Sequence, residues 1–295
     1  MILITGSQGL VGRHLCIALE KAGQDVRRFD IARDQQEDVR DPHALASALR
    51  GVTGVVHLAA MSRVVLAQQA PLECEAVNVT ALTGLLRLCL GQSTRPWVIF
   101  ASSREVYGAQ DNLPVAEDAA LRPMNVYARS KVRGERLMTR AVEAGLVANV
   151  CRLSNVYGCP FDHPDRVATA FATAAARGGT MRVDGAQSTF DFTAIGDVVQ
   201  ALARLIEATA AGERMPVVQF VSGRGTSLIN LARLAQSLGL APVSMVEAAP
   251  RDFDVARFIG DPEVADRRLG WRARTTLQEG MAQLISQLAL YQGAN

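Results

Sequence analysis

Tyr127 and Lys131 stand four positions apart, and Lys131 is one of only two lysines among the 31 basic residues of the chain. On a helix, this spacing places both side chains on one face. A phenol can act as a general base near neutral pH if its pKa falls from about 10 by about 3 units. A neighbouring ammonium favours the phenolate and so lowers that pKa. The pair therefore predicts an acid–base site on a helix, with Tyr127 as the base.

Two serines, the second of them Ser103, follow the fourth predicted strand at residues 97–101. The carboxyl edge of an open parallel sheet is where such folds bind their ligands. A Ser-Ser pair alone is more often part of a turn. Beside Tyr127, however, the Ser103 hydroxyl can hydrogen-bond the oxygen atom that reacts. The sequence therefore predicts Ser103 as the third member of this site.

A glycine-rich turn follows the first predicted strand, residues 2–5, and opens a helix. Gly6 permits the tight turn, Gly9 lets the backbone approach a pyrophosphate, and Gly12 lets the helix pack closely on the strand. The start of the helix offers free N–H groups and a positive dipole end to phosphates. The turn therefore predicts a dinucleotide-binding site.

Asp30 ends the second predicted strand, 18 residues after Gly12. A carboxylate at this position can hold the hydroxyls of an adenosine ribose, and it repels the extra phosphate of NADP. Asp30 therefore favours NAD, although Arg28 and Arg33 are cations close to it in the sequence. The structural alternative is that Asp30 only caps the end of its strand.

These residues need a scaffold of alternating strands and helices, and the first half of the chain has one. Apolar strands are predicted at residues 2–5, 25–30, 55–59, 97–101 and 147–153, with helices at 10–22, from Pro42, at 71–90 and at 123–144. Near-continuous apolar strands between amphipathic helices predict a parallel sheet covered on both faces. The predicted fold class is α/β, a Rossmann doubly wound parallel sheet.

The alternation of strands and helices breaks after residue 153, where a smaller α/β substrate lobe is predicted. An apolar strand at 216–221 could rejoin the sheet. The predicted layout is an NAD-binding Rossmann domain at residues 1–153 plus about 193–222, and a substrate-binding lobe at 154–192 plus 223–295.

The composition is that of an ordinary globular protein, with 295 residues of which 49% are hydrophobic and 20% charged. The net charge of +2 gives no electrostatic basis for binding nucleic acid or an anionic membrane. No apolar run approaches the roughly 18 residues that span a bilayer, and the first residues do not resemble a signal peptide. Five cysteines without a C-x-x-C pair predict a cytoplasmic protein, and four widely spaced histidines predict no protein-built metal site.

As a set, the motifs resemble those of the extended short-chain dehydrogenase/reductase family, in its NAD-dependent epimerase/dehydratase branch. The resemblance covers essentially the whole chain and is to the nucleotide-sugar 4-epimerases of that branch. It rests on Thr-Gly-x-x-Gly-x-x-Gly at 5–12, Asp38-Val39, His57-Leu58-Ala59-Ala60, Asn78-Val79, Ser103 before Val106-Tyr107-Gly108, Tyr127 with Lys131, residues 152–158, and Leu269-Gly270-Trp271.

This resemblance implies NAD as the cofactor and a nucleotide-diphosphate sugar as the substrate. It implies Ser103, Tyr127 and Lys131 as catalytic residues. The implied cofactor-binding residues are Gly6, Gly9, Leu10, Val11, Gly12, Asp30, Asp38, Val39, Leu58, Ala59, Ala60, Asn78, Tyr127 and Lys131. The implied substrate-binding residues are Ser103, Glu105, Asn155 and Arg251. Many members of the family are homodimers joined by the helices equivalent to 78–90 and 123–144.

The chain departs from the family at the position before Asp191, where nucleotide-sugar enzymes often carry an arginine. Here the residue is Phe190, so one of two expected diphosphate cations is missing. Arg251 remains as the other cation, and Arg182 or Arg224 could assist it.

A second departure concerns the acidic pair that dehydratases of this family often carry before Val-Tyr-Gly. This chain has Arg104 and Glu105 there, so the acid is absent while the possible base remains. The structural alternative for Glu105 is a carboxylate that faces solvent at the start of a helix.

The leading hypothesis is an NAD-dependent nucleotide-sugar 4-epimerase. Tyr127 would take the O4 proton while hydride passes from C4 to NAD, and hydride would return to the other face of a transient 4-keto sugar. An NAD(P)H-dependent 4-keto-sugar reductase would move hydride once, and a dehydratase or decarboxylase would use Glu105. A cofactor-sensing binding protein is the non-enzyme alternative, but such relatives usually lose the Tyr or the Lys, and this chain keeps both.

Overall fold

Six parallel strands form the central sheet of the computed structural model, which describes residues 1–250 and 255–291. They are β1 (Ile2–Thr5), β2 (Val26–Phe29), β3 (Gly54–His57), β4 (Trp97–Ser103), β5 (Ala148–Leu153) and β9 (Val218–Phe220). Their order is β2-β1-β3-β4-β5-β9, and each neighbouring pair is parallel. Strands β1, β3 and β4 are buried along their whole length, as their apolar sequences predict.

Helices cover both faces of this sheet, which confirms the predicted doubly wound α/β fold. On one face, α1 (Leu10–Lys21) and α8 (Ile195–Ala210) pack their apolar sides against the strands. On the other face, α2 (Pro42–Ala48), α5 (Ala81–Leu90) and α6 (Val126–Glu143) do the same. The direction of winding reverses between β1 and β3, and a doubly wound sheet opens a ligand-binding crevice at this point.

The helix predicted at residues 71–90 is interrupted in the structure. A short α3 (Val64–Gln69) precedes α4 (Pro71–Glu75), and a π-helical segment, Ala76–Thr80, joins α4 to α5. Pro71 opens α4, where its missing N–H group has no partner to lose. Single π-helical turns inside α-helices are often found at functional sites, and this one carries Asn78.

Shorter elements form the smaller α/β lobe. Its strands are β6 (Asn155–Tyr157), β7 (Gly179–Asp184), β8 (Thr189–Ala194), β10 (Gly225–Ser227) and β11 (Val243–Ala248). The remaining helices are α7 (Val167–Arg177), α9 (Leu228–Ser237), α10 (Glu263–Leu269) and α11 (Leu277–Leu290). One small sheet has the order β10-β8-β6, and the other pairs β11 with β7. Helices α7, α9 and α11 share an apolar core with β7 and β8.

Segments from the second half of the chain return to the central sheet. Strand β9 extends the sheet beside β5, as the apolar run at 216–221 predicts. Trp271, just after α10, packs on Phe220 of β9 with 5.4 Å between the ring centres. Its indole N–H donates to the Asp197 carbonyl at 3.0 Å. Part of the 223–295 segment therefore packs on the sheet, and the exact division into two domains stays a proposal.

Membrane spans, metal clusters and disulfides are absent from the described part of the chain. No helix within residues 1–250 and 255–291 combines the length and apolarity needed to cross a bilayer. The same two ranges contain no group of three His, Cys, Asp or Glu side chains that could hold a metal ion. All five cysteines are free and buried.

Candidate active site

A cleft of about 850 Å³ follows the carboxyl ends of β1, β3 and β4 and continues into the lobe. It brings together nearly all of the predicted site residues. Those in its wall are Gly6, Gly9, Leu10, Val11, Gly12, Asp30, Asp38, Val39, Leu58, Ala59, Ala60, Ser103, Glu105, Tyr127, Lys131 and Asn155. Of the other two, Asn78 lies behind the wall, and Arg251 lies outside the described residues.

The glycine turn has the close backbone contacts that its motif predicts. Gly6 has a φ of +71°, and a Cβ added there would lie 2.6 Å from the backbone N of Ala59. A Cβ at Gly12 would lie 2.1 Å from the carbonyl oxygen of Gly6. In the described part of the chain, no side chain caps the start of α1, and its first turn holds no acidic residue. Its free N–H groups and positive dipole end are therefore available to an anion in the cleft.

Asp30 lies in the wall of the cleft, just after β2 and beside the glycine turn. One carboxylate oxygen accepts a hydrogen bond from the backbone N of Gln8 at 2.8 Å, and the other accepts one from Ala32 at 2.8 Å. Asp30 thus fixes the turn, as the capping alternative implies. Since a carboxylate oxygen can accept more than one hydrogen bond, Asp30 can also accept from ribose hydroxyls in the cleft.

The two arginines near Asp30 are each paired with a glutamate. Arg28 Nη2 lies 2.7 Å from a carboxylate oxygen of Glu20, and Arg33 is paired with Glu37. Neither guanidinium belongs to the cleft wall formed by residues 1–250 and 255–291. The negative charge of Asp30 therefore meets an adenosine ribose without a free cation from these two residues, which favours NAD over NADP.

Asn78 supports the cleft from behind and is 2% exposed. Its Oδ1 accepts a hydrogen bond from the backbone N of Met61 at 2.8 Å, and its Nδ2 donates to Ser130 Oγ at 2.9 Å. The side chain therefore ties the loop after β3 to helix α6. The protein itself engages this amide, and the predicted contact of Asn78 with the cofactor stays a prediction.

Helix α6 presents Tyr127 and Lys131 to the cleft on one face, as their spacing predicts. The helix begins after Asn125, whose side-chain oxygen accepts a hydrogen bond from the first turn at 2.8 Å. Lys131 Nζ lies 5.8 Å from the centre of the Tyr127 ring and donates to the carbonyl of Ala101 in β4 at 2.8 Å. Ser103, at the end of β4, lies close enough to the Tyr127 phenol to lower its pKa. The three predicted catalytic side chains therefore meet at one place.

A buried ion pair fixes α6 against the sheet. Arg152 of β5 donates from Nη2 and Nε to the two carboxylate oxygens of Glu135, at 2.7 and 2.9 Å. Ser102 also donates to Glu135, at 2.5 Å. Both charged side chains are less than a tenth exposed. Because Glu135 follows Lys131 by one helical turn, this pair holds the face of α6 that carries Tyr127 and Lys131.

Burial dominates the protonation of the two catalytic groups. It raises the pKa of Tyr127 to about 12, although the hydrogen bond from Ser103 and the guanidinium of Arg166 both lower that pKa. Burial also lowers the pKa of Lys131 to about 8. The ammonium of Lys131 alone therefore does not bring the pKa of Tyr127 toward neutrality, because removing the phenolate from water outweighs the neighbouring charges.

Arg166 lines the cleft, although the sequence does not predict it as a site residue. It is the N-cap residue of α7, and its Nη2 donates to Ser62 Oγ at 3.3 Å. An ion pair between Arg63 and Asp165 links the same two loops. Arg166 and Ser62 lie 104 positions apart, so no local spacing in the sequence could reveal their contact.

A polar cluster of Arg104, Glu105 and Asn155 forms part of the substrate side of the cleft. Arg104 Nη2 lies 2.7 Å from Glu105 Oε1, and Arg104 Nε donates to Asn155 Oδ1 at 3.0 Å. Asn125 Nδ2 donates to the second oxygen of Glu105 at 3.0 Å. Glu105 is 8% exposed and faces the cleft, so the alternative of a solvent-facing carboxylate is wrong.

Arg104 packs against Phe190, the residue at the position where the arginine is missing. The guanidinium carbon of Arg104 lies 4.7 Å from the centre of the Phe190 ring. Arg182 also lines the cleft, with its Nε bonded to Asp184 at 2.7 Å. Arg224 is absent from the described wall. Of the two helpers that the sequence suggests, only Arg182 is therefore placed to reach a substrate.

The fold and the cleft define a class of α/β protein in which a dinucleotide-binding turn lies in the same cleft as a Ser–Tyr–Lys cluster. The model of the NAD dependent epimerase/dehydratase family matches residues 2–219. The chain belongs to this family.

Individual proteins similar to this chain agree with that assignment. UDP-glucuronate 4-epimerase 4 of Arabidopsis thaliana is 27% identical over 333 residues, which cover 99% of this chain and 76% of that protein. The structure of MoeE5 in complex with UDP-glucose and NAD is 28% identical with a TM-score of 0.88, and 97% of both chains is covered. TunA, an NAD-dependent NDP-hexosamine 5,6-dehydratase involved in tunicamycin biosynthesis, is 30% identical with a TM-score of 0.86, covering 97% of this chain and 96% of TunA. The predicted family, fold and use of NAD are confirmed.

Proposed function

We propose that this chain is an NAD-dependent epimerase that inverts C4 of a UDP-hexose. The observation that carries the proposal is one continuous cleft, in which the catalytic set of Ser103, Tyr127 and Lys131 meets the glycine turn and Asp30. The relatives support the substrate class, since they include a UDP-glucuronate 4-epimerase and a protein that binds UDP-glucose together with NAD.

The cofactor side of the cleft fits NAD. A Cβ at Gly6 or Gly12 would collide with backbone atoms, so these positions keep the turn tight beneath a pyrophosphate. The start of α1 offers N–H groups to that pyrophosphate, and Asp30 offers acceptors to ribose hydroxyls. When bound, NAD supplies the reversible hydride acceptor that inversion of a carbinol carbon requires.

The catalytic residues of the chain handle the proton. Tyr127 takes the proton from the sugar O4 and later returns it. Ser103 hydrogen-bonds the Tyr127 phenol and orients the sugar O4. Because burial raises the pKa of Tyr127, formation of the phenolate depends on positive charge in the loaded cleft, to which Arg166 contributes. Lys131 is held by the Ala101 carbonyl at the position from which it would bind the nicotinamide ribose.

The test uses the protein as purified, with UDP-glucose as substrate. Mass spectrometry of the native protein should find NAD bound, and chromatography should find UDP-galactose formed with no net change in nicotinamide absorbance. A stoichiometric change in that absorbance would contradict the epimerase and identify a reductase. Bound NAD without any sugar product would also contradict this proposal.

A dehydratase is the second candidate, and the place of Glu105 in the cleft favours it. TunA, which is 30% identical, is a dehydratase. In such a reaction Glu105 would remove a proton from the sugar, and the product would be lighter than the substrate by one water. In this chain Arg104 forms an ion pair with one oxygen of Glu105 and Asn125 donates to the other, so the protein already engages this carboxylate. The mass of the product separates the two reactions.

We also propose that the chain forms a homodimer through α4, α5 and α6 and works in the cytoplasm. Leu72 of α4 is 85% exposed, and a partner subunit would cover such an apolar side chain. The five free cysteines support a reducing compartment. Light scattering should find a dimer for the natural chain and a weaker dimer for Leu72→Glu. A monomer for the natural chain would contradict the dimer.

A further inference from the structure

The relatives leave open which substituent the hexose carries, and the polar cluster of Arg104, Glu105 and Asn155 bears on this choice. We propose that the cluster selects a UDP-hexose with a neutral, hydroxyl-bearing substituent over a UDP-uronate, and that Arg104 is its positioning residue. The identity of the ligand as a UDP-hexose rests on the proposed function. The selectivity rests on which hydrogen-bonding groups the cluster presents to the cleft.

Arg104 is not free to bind a substrate carboxylate. Its charge is balanced by Glu105 at 2.7 Å, and its Nε is used by Asn155. The guanidinium carbon lies 4.7 Å from the centre of the Phe190 ring and 5.8 Å from that of Phe258. The remaining nitrogen, Nη1, is buried and has no hydrogen-bond partner among the described residues. The aromatic rings stabilise the cation in this position, so Arg104 acts on the cleft through its neighbours.

Arg104 fixes the orientation of the Asn155 amide. An arginine side chain only donates hydrogen bonds, so the atom of Asn155 that faces Arg104 Nε must be the amide oxygen. The amide nitrogen therefore points elsewhere, and no residue in the ranges 1–250 and 255–291 accepts a hydrogen bond from it. Since Asn155 lines the cleft, it presents a hydrogen-bond donor to the substrate.

Glu105 presents the opposite polarity. Arg104 forms an ion pair with one of its oxygens and Asn125 donates to the other, which holds the carboxylate in place at the cleft wall. The negative charge lies close enough to Tyr127 to raise the pKa of that phenol. The wall beside the catalytic set thus combines a donor from Asn155 with an anionic acceptor from Glu105.

This combination distinguishes a hydroxyl from a carboxylate. A hydroxyl both donates and accepts, so it can satisfy Glu105 and Asn155 together. A carboxylate can satisfy only Asn155, and it brings a second negative charge next to Glu105 in a poorly solvated site. Because a hydrogen bond to a charged group contributes more than a neutral one, we expect a preference of roughly 10- to 100-fold for the neutral sugar.

The test compares the binding of UDP-glucose and UDP-glucuronate to the NAD-loaded protein by calorimetry. The natural chain should bind UDP-glucose more tightly by the factor given above. Glu105→Gln keeps the shape of the side chain and removes its charge. It should therefore reduce the ratio of the two dissociation constants about tenfold, mainly because UDP-glucuronate binds more tightly. The affinity for UDP, which lacks the sugar, should not change.

Arg104→Met tests the positioning role. Without the bond from Nε, the Asn155 amide can rotate, so the KM for UDP-glucose should rise while kcat changes much less. The NAD content and the affinity for UDP should stay at the natural level, whereas a merely structural role would lower both. Arg104→Lys should not restore the KM, because an ammonium cannot bond Glu105 and Asn155 in the same planar geometry. Arg233→Met, at an exposed arginine of α9, is the matched control.

Equal or tighter binding of UDP-glucuronate by the natural chain would overturn the inference. It would also be overturned if Glu105→Gln left the ratio unchanged, or if neither UDP-sugar bound. A failure of the proposed function is seen separately, as absence of epimerised product. If the two UDP-sugars bind with the predicted ratio of affinities but no epimerised product forms, the selectivity of the wall is supported and the epimerase activity is contradicted.

Discussion

The two sides of the cleft are built in different ways. The cofactor side consists mainly of backbone from short local segments, with the glycine turn at residues 5–12 and the loop at 58–60 as its main parts. The substrate side consists of side chains from distant segments, such as Arg104, Asn155 and Phe190. A short motif can specify the backbone of one turn, but a side-chain cluster forms only when the whole chain has folded. Helix α6 lies between the two sides and carries Tyr127 and Lys131.

Tyr127→Phe should have the largest effect on activity, because it removes the proton-transferring group where the two sides meet. We expect kcat to fall by about 10²- to 10⁴-fold, the range for loss of a general base. Bound NAD and the affinity for UDP should stay unchanged, since Phe keeps the ring. Substantial turnover in this variant would show that the base is another residue.

Arg152→Met should have the largest effect on stability. It leaves Glu135 buried without its partner, which typically costs about 3–5 kcal/mol of unfolding free energy. Urea unfolding of the variant measures this loss. The double variant with Glu135→Gln should recover part of it, because the unpaired charge is then removed. If the single variant is as stable as the natural chain, the pair does not hold α6 in place.

Gly12→Ala should damage the cofactor side while leaving the substrate side intact. The added Cβ would lie 2.1 Å from the Gly6 carbonyl oxygen, so the turn must open. We expect a loss of about 1–3 kcal/mol in stability and of bound NAD. Gly196→Ala, in α8 where an added Cβ meets nothing within 4 Å, is the control and should keep its NAD. Full retention of NAD by Gly12→Ala would mean that the cofactor does not depend on this turn.

Arg63→Gln should have the smallest effect, and it tests the connection between the two sides. The ion pair of Arg63 with Asp165 is partly exposed, so its loss should cost less than about 1 kcal/mol of stability. Because the pair joins two loops at the cleft, NAD should nevertheless leave about two- to fivefold faster. Release of NAD can be followed after dilution into an NAD-free buffer. If the rate of NAD release is unchanged, the ion pair does not help to retain the cofactor.

Much of the cofactor side could be predicted from the sequence. The glycine spacing, the strand before it and the acid after β2 are local features, and the structure places Gly6, Gly12 and Asp30 as these features predict. The spacing of Tyr127 and Lys131 likewise predicts a shared helical face. The sheet follows from apolar strands that alternate with helices, and even the late strand β9 is visible as an apolar run.

The remaining features depend on contacts between distant segments. Arg104 stacks on Phe190, and these residues come before and after β5 in the sequence. Arg166 donates to Ser62, 104 positions away in the sequence. The amide of Asn78 is hydrogen-bonded to Met61 and Ser130, and no sequence motif identifies these partners. The raised pKa of Tyr127 depends on how completely the fold excludes water, which a sequence pattern does not specify.

The π-helical segment at Ala76–Thr80 has a consequence for how this chain tolerates deletions. A helix turns by about 100° per residue, so a one-residue change of length rotates everything that follows. Deleting one residue from this segment would restore a regular α-helix and swing the apolar face of α5, with Leu82 and Leu85, away from the core. Evolution can therefore shorten the surface loops of this chain more easily than this one turn.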